Sequence, residues 1–208
     1  MLHKETVTPA TLELIKALQS EKIFKDFYLV GGTALSLQIG HRISVDIDLF
    51  SQNEFDTSFF IEYLEKKYDF KLQYVYENTL KGFINEIFID ILRHNHPNIY
   101  EPIIQENIRL LSKADIAAMK VNAITGNGTR LKDFVDIYFL FKEFTYGEII
   151  EFYSAKYGKR NEFHAVKSLT YFEDIVLDDK LNMLLEKNIS IEDITAEIKK
   201  KRDAYIKK

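Results

Sequence analysis

The sequence predicts an α+β fold, with strands gathered in its first half and helices alone in its second. Three observations carry that prediction. Apolar runs with a two-residue period recur up to Leu92, helical apolar spacing takes over from Ser112, and no Pro/Gly-rich linker, repeat or low-complexity tract intervenes. At 208 residues the chain is long enough for a sizeable core plus a smaller helical part. Residues 1–111 read as the core and residues 112–208 as a helical C-terminal subdomain completing a cleft, with a soft boundary at Pro97–Ser112.

The elements follow in order. Thr8-Pro9 starts a helix, Thr8 capping it and Pro9 at its first position, and Leu12, Ile15 and Leu18 give it one apolar face. A strand over Phe27–Val30 leads to Gly31-Gly32-Thr33, and a short helix from Ala34 to Gln38 closes near Gly40. The strand bearing Asp46 and Asp48 comes next, then a helix from about Ser58 to Lys67 that buries Phe60, Ile61 and Leu64. Phe70 to Glu77 alternates as a half-buried strand. Thr79–Ile84 is another strand turning near Asn85, and Ile87–Leu92 is the most apolar six-residue run. From His94 to Leu111 no regular pattern stands out, and His94-Asn95-His96 reads as loop, since two histidines make a weak zinc signal.

Ser112 then caps a helix with Asp115 in its first turn, and Ile116, Lys120, Ala123 and Ile124 share one face. Lys120 in such a stripe either snorkels to the surface or is aimed at an anion. Thr125-Gly126-Asn127-Gly128 breaks the helix, and Arg130–Lys142 forms the next, with Leu131, Phe134, Val135, Tyr138 and Phe141 as core. Helices over Gly147–Tyr157, Glu162–Glu173 and Ile191–Lys207 complete the chain.

Composition bounds the chemistry. There is no Cys, which removes disulfides, thiolate nucleophiles and Cys-based zinc sites, and fits a reducing compartment. Sixteen Phe and twelve Tyr imply an aromatic-rich core. No apolar stretch approaches 18 residues and no signal-peptide pattern opens the chain, so a cytoplasmic protein with no membrane partner is expected. A net charge of −4 argues against a wholesale nucleic-acid coat. The basic run Lys199-Lys200-Lys201-Arg202, with Lys207 and Lys208, reads first as a solvated helix end.

The chemistry concentrates in Tyr28–Phe50. Strand side chains alternate, so Ser44, Asp46 and Asp48 point one way while Val45, Ile47 and Leu49 point into the core. The two carboxylates then lie about 7 Å apart along one strand. Their repulsion is relieved when a cation is shared, and a hard divalent ion suits oxygen ligands and substrate phosphates. The glycines upstream let backbone approach an anion at a helix N-terminus. Taken singly, Gly-Gly is often just a turn and Asp-x-Asp a solvated strand end; their order is more specific. Asp90, the one charge in the Ile87–Leu92 run, needs a partner, either a metal or a nearby Arg or Lys. Asp136 has the simple alternative of an i,i+4 ion pair with Lys132.

Gly31-Gly32-Thr33, Asp46-x-Asp48 and a third acid on a later strand resemble the nucleotidyltransferase fold shared with DNA polymerase beta. The fuller string GGTALSLQIGHRISVDIDLF, with Lys120 and Lys132-Asp133-x-x-Asp136, resembles the AbiEii/AbiGii toxin family, over roughly Phe27 to Phe141. The resemblance implies a nucleotidyltransferase-type mixed sheet with flanking helices. It implies that Gly31, Gly32, Thr33, Arg42, Ser44 and Lys120 bind the NTP substrate. Asp46, Asp48 and Asp90 would hold two Mg²⁺ ions, and Asp136 would orient Lys120 or touch the nucleotide. It further implies an RNA acceptor, with tRNA ends foremost, and a cognate antitoxin partner. The alternatives are a nucleotide-binding interaction module without turnover and an aminoglycoside-type enzyme acting on a small molecule.

Overall fold

A computed structural model describes residues 1–177 and 181–207, with Arg160 through its backbone alone; Lys208 of the basic run lies outside the described residues. The chain divides into two compact units, residues 1–97 with 102–111 and residues 98–101 with 112–208.

In the first unit, α1 (Pro9–Ser20) starts as expected: the Thr8 side chain accepts a hydrogen bond from Thr11 N, and Leu12, Ile15 and Leu18 are buried. Strand β1 (Tyr28–Leu29) is shorter than expected because α2 (Gly31–Ile39) begins at the glycine pair itself rather than at Ala34. That helix stops at Gly40, whose φ of 72° is left-handed backbone suited to glycine. Strand β2 (Ile47–Ser51) opens just after Asp46. Val45 is therefore not core but 57% exposed, because residue 45 precedes the ladder and has no sheet neighbour to pack against.

Helix α3 (Thr57–Tyr68) buries Phe60 and Leu64 and leaves Ile61 half-buried. It is anchored through Glu21, which accepts hydrogen bonds of 2.5 Å from both Tyr63 and Tyr68 hydroxyls and pairs with Lys67. Phe24, Phe27, Phe55 and Phe60 pack ring against ring, as the aromatic composition suggests. Strands β3 (Lys71–Tyr76), β4 (Thr79–Ile84) and β5 (Ile87–Arg93) form a meander. Every residue of β3 is exposed, against the expected half-buried pattern. It is an edge strand, paired among the described residues with β4 alone, with a register shift between Leu72 and Tyr74.

The stretch that looked patternless contains a hairpin, β6 (Ile103–Gln105) and β7 (Ile108–Leu110). Its two-residue loop, Glu106-Asn107, holds both residues at positive φ, the conformation that matches strand twist. All seven strands form one sheet in the order β3-β4-β5-β2-β1-β7-β6. β2 runs parallel to β5 and β1 parallel to β7; the other neighbours are antiparallel.

The second unit holds α4 (Lys113–Gly126), α5 (Leu131–Leu140), α6 (Tyr146–Tyr157), α7 (Glu162–Ser168) and α8 (Ile191–Ile206). Ser112 caps α4 as predicted, and reciprocal capping boxes start α6 (Thr145, Glu148) and α8 (Ser190, Asp193). Buried Ala114, Ala117 and Ala118 leave α4 slim enough for close packing against α5 and α6. α7 ends at Ser168 rather than Glu173, where Thr170 and Tyr171 bond back three residues and tighten the last turn. Among the described residues no helix is long and apolar enough to cross a membrane.

Candidate active site

Register builds the site. β2 and β5 lie side by side and parallel, and Asp48 is the direct neighbour of Asp90. The two carboxylates therefore leave the sheet on one face, opposite Leu49 and Ile91, which are buried in the core. Asp46 stands two residues ahead of Asp48, and its charge bears on Asp90. The carboxyl of Asp90 is pushed above the ordinary aspartate range, first by burial and further by that neighbouring charge.

α2 closes the site from the β1 side. Gly31 has φ +67°, and a Cβ there would lie 2.2 Å from Asp48 Oδ2. A Cβ at Gly32 would lie 2.3 Å from Arg42 Nη2. Any larger residue at either position would displace a site side chain, which gives the glycine pair a physical reason. Thr33 is used differently from expectation. Its hydroxyl lies 2.8 Å from that of Ser44 and reaches the Asp46 carbonyl oxygen, so it pins the segment delivering Asp46. Arg42 is buried, and its Nη1 donates to the Ile43 carbonyl.

Asp90 has a cation. Lys81, its cross-strand partner on β4, places Nζ 2.6 Å from Asp90 Oδ2. The ion-pair alternative for Asp90 is thus present in the structure. It is incomplete, however, because Asp90 Oδ1 is buried and makes no hydrogen bond. Such an atom is costly to bury unless something further coordinates it. Among the described residues no three His, Cys, Asp or Glu side chains already close around a metal position. The donor set still fits a hard divalent ion: carboxylate oxygens on one face, with one buried oxygen unsatisfied.

Lys120 and Asp136 lie in the second unit and meet there. Lys120 Nζ sits 2.6 Å from Asp136 Oδ2 and 2.6 Å from Asp133 Oδ1, and all three are buried. Lys120 therefore neither snorkels nor stands alone, and Asp136 meets it rather than relying on Lys132 for a cation. Lys81 escaped sequence reasoning, and Asp133 was quoted only within the motif string, with no role given to it. Asp133 was legible as part of Lys-Asp-x-x-Asp, three residues before Asp136 on one helix face. Lys81 was legible once a two-residue turn at Asn85-Glu86 is fixed, since the hairpin register then sets it opposite Asp90.

Comparison with known proteins gives concordant findings. The profile of the family described as "Nucleotidyl transferase AbiEii toxin, Type IV TA system" matches residues 13–89 and 82–206. An uncharacterized protein of Aquifex aeolicus (strain VF5) is 32% identical over 168 residues, covering 78% of this chain and 81% of the relative. JHP933 from Helicobacter pylori shares the fold with a TM-score of 0.57 at 18% identity, over 97% of this chain and 94% of that one. The antibiotic-resistance factor ANT(2'')-Ia aligns with a TM-score of 0.54 at 12% identity, over 70% of this chain and 89% of that one.

Proposed function

This chain belongs to the AbiEii nucleotidyl transferase family, and from that premise we propose that it moves a nucleoside monophosphate from an NTP to a hydroxyl of an RNA acceptor, with magnesium, as the toxin of a toxin–antitoxin pair. The chain is a nucleotidyltransferase; the metal, the acceptor, the toxin role and the residue roles are the proposal. Transfer RNA ends are the first acceptor to test, and the antitoxin protein is the expected partner.

The observation that carries the reading is the register of Asp48 and Asp90, with Asp46 ahead of them and the glycine pair alongside. In this reading residues 1–111 are the catalytic core. Asp46, Asp48 and Asp90 hold up to two Mg²⁺ ions, which would supply charge stabilisation for both attacking and leaving oxygens. The N-terminal turn of α2, at Gly31, Gly32 and Thr33, receives the triphosphate, and Arg42 offsets its charge. Ser44 and Thr33 hold Asp46 in place. The acceptor hydroxyl oxygen attacks the α-phosphorus, the bond to the β-phosphate oxygen breaks, and pyrophosphate leaves. The hydroxyl proton passes to Asp90 or to solvent. Within the second unit Lys120 is bonded between Asp133 and Asp136, which ties α4 to α5.

The test is to incubate the protein with each labelled NTP in turn, Mg²⁺ and total cellular RNA, alongside Asp46→Ala and Asp48→Ala. Label should enter RNA with the unaltered chain and with neither variant. Equal labelling by Asp48→Ala sinks the site assignment, and label found only on small hydroxyl-bearing acceptors replaces RNA with a small molecule.

A further inference from the structure

The acids do not stand at the edge of the sheet. Beyond Asp90 the ladder continues through Lys81 on β4 to Tyr74 on β3, each directly opposite the last, so Asp48, Asp90, Lys81 and Tyr74 form one row on one face. Flanking rows place Tyr76 opposite Thr79 and Lys71 opposite Phe83 on that same face. The reverse face buries Leu80, Ile84, Ile89 and Ile91, whereas Tyr74 is 49% exposed and Tyr76 60% exposed. Lys81 keeps about a third of its side chain in solvent, 36%, even while bonded to Asp90.

We propose that this face of β3–β5 is the acceptor platform, where unpaired nucleotides at an RNA terminus stack on Tyr74 and Tyr76 while Lys81 meets a phosphate. The proposal rests on the nucleotidyl-transfer reading and locates the substrate that supplies the attacking hydroxyl. Direction follows from the chemistry. Attacking and leaving oxygens lie in line on opposite sides of the α-phosphorus. The β- and γ-phosphates belong with the glycine pair and Arg42, on the β1 side of Asp48. The acceptor therefore approaches from the other side, over β5, β4 and β3.

The surface chemistry narrows the class. Two exposed rings two residues apart on one strand stand about 7 Å from each other, a spacing suited to successive unstacked bases. A duplex keeps its bases paired and cannot use them. Exposed Lys71, paired at 2.5 Å with the still more exposed Asp69, adds a second cation at the same edge. With 36% of its side chain in solvent, Lys81 can turn from Asp90 toward a phosphate, which gives its partly exposed position a use.

The experiment measures anisotropy of a fluorescein-labelled, unstructured RNA of about ten nucleotides on the full chain with Mg²⁺, against a duplex of the same length. The Tm rise produced by NTP and Mg²⁺ is recorded in parallel. The single strand should bind more tightly than the duplex. The double variant Tyr74→Ala/Tyr76→Ala should weaken single-strand binding about tenfold or more, whereas Tyr74→Phe/Tyr76→Phe, which keeps the rings, should stay within about threefold. Lys81→Met should weaken binding and flatten the salt dependence by about one unit of slope. The double alanine variant should keep the NTP-induced Tm rise. The proposal is overturned if that variant binds RNA like the unaltered chain, if duplex binds equally well, or if the variant loses the Tm rise, which would assign the rings to the NTP. An unaltered chain with an NTP response and no RNA affinity also overturns the platform while leaving nucleotidyl transfer standing.

Discussion

Two carboxylate–lysine pairs, one in each unit, show how differently the same interaction is used. In the second unit Asp115 and Lys156 are both fully buried and 2.8 Å apart. Asp115 also accepts from the Ile99 and Tyr100 backbone N–H groups and from the Ser112 hydroxyl, so both its oxygens are engaged. In the first unit Asp90 has a lysine about a third in solvent, and one buried oxygen with no hydrogen bond. A complete network fixes a fold, here by tying residues 98–101 to the start of α4. An incomplete one leaves a buried oxygen able to accept a further bond, which is what the proposed metal role of Asp90 would use.

The largest test of that contrast is Asp115→Ala. It strands Lys156 as a lone buried charge, and should cost about 3–5 kcal/mol in urea unfolding. A cost under about 1 kcal/mol, the usual worth of an exposed pair, would erase the distinction. Next, Asp48→Asn should lower transfer by about 100- to 1000-fold, read as label entering RNA. Transfer within about tenfold of the unaltered chain would remove Asp48 from the site. Asp90→Asn should likewise abolish transfer, yet leave stability at pH 7 equal to or above that of the unaltered chain, the opposite of Asp115→Ala. Circular dichroism melts of the two variants side by side decide the point.

The smallest effect is in pH. Because the folded-state pKa of Asp90 is raised, the folded chain holds that proton more tightly than the unfolded chain. Its contribution to stability is therefore full below the ordinary aspartate pKa and declines as pH rises toward the raised value. Asp90→Asn should flatten this decline. Saturating Mg²⁺ should flatten it too, and a slope indifferent to Mg²⁺ would argue against coordination by Asp90.

Much of this was readable beforehand for physical reasons. Thr8-Pro9 and Ser112 mark helix starts because capping is local, satisfied within three residues. Asp48 leaves the sheet opposite Ile47 and Leu49 because a strand has a period of two, whereas Asp46 precedes the ladder. The β6–β7 hairpin escaped because three-residue strands carry too few alternations to stand out, although the left-handed Glu106-Asn107 loop defines it. β3 was read as half-buried because alternation reports a pattern and not what covers it.

Sequence alone determined the order of elements outside the β6–β7 hairpin, the Thr8 and Ser112 caps, and a motif string specific enough to point to a family. The tertiary structure decided which cation each acid meets: Lys81 for Asp90, Lys156 for Asp115, and Lys120 between Asp133 and Asp136. It also decided that Thr33 holds the Asp46 segment and that one oxygen of Asp90 stays unsatisfied. Periodicity and capping act over a few residues and leave their record in the string. Ion partners are chosen by strand register and helix packing across long stretches of chain, which folding alone brings together.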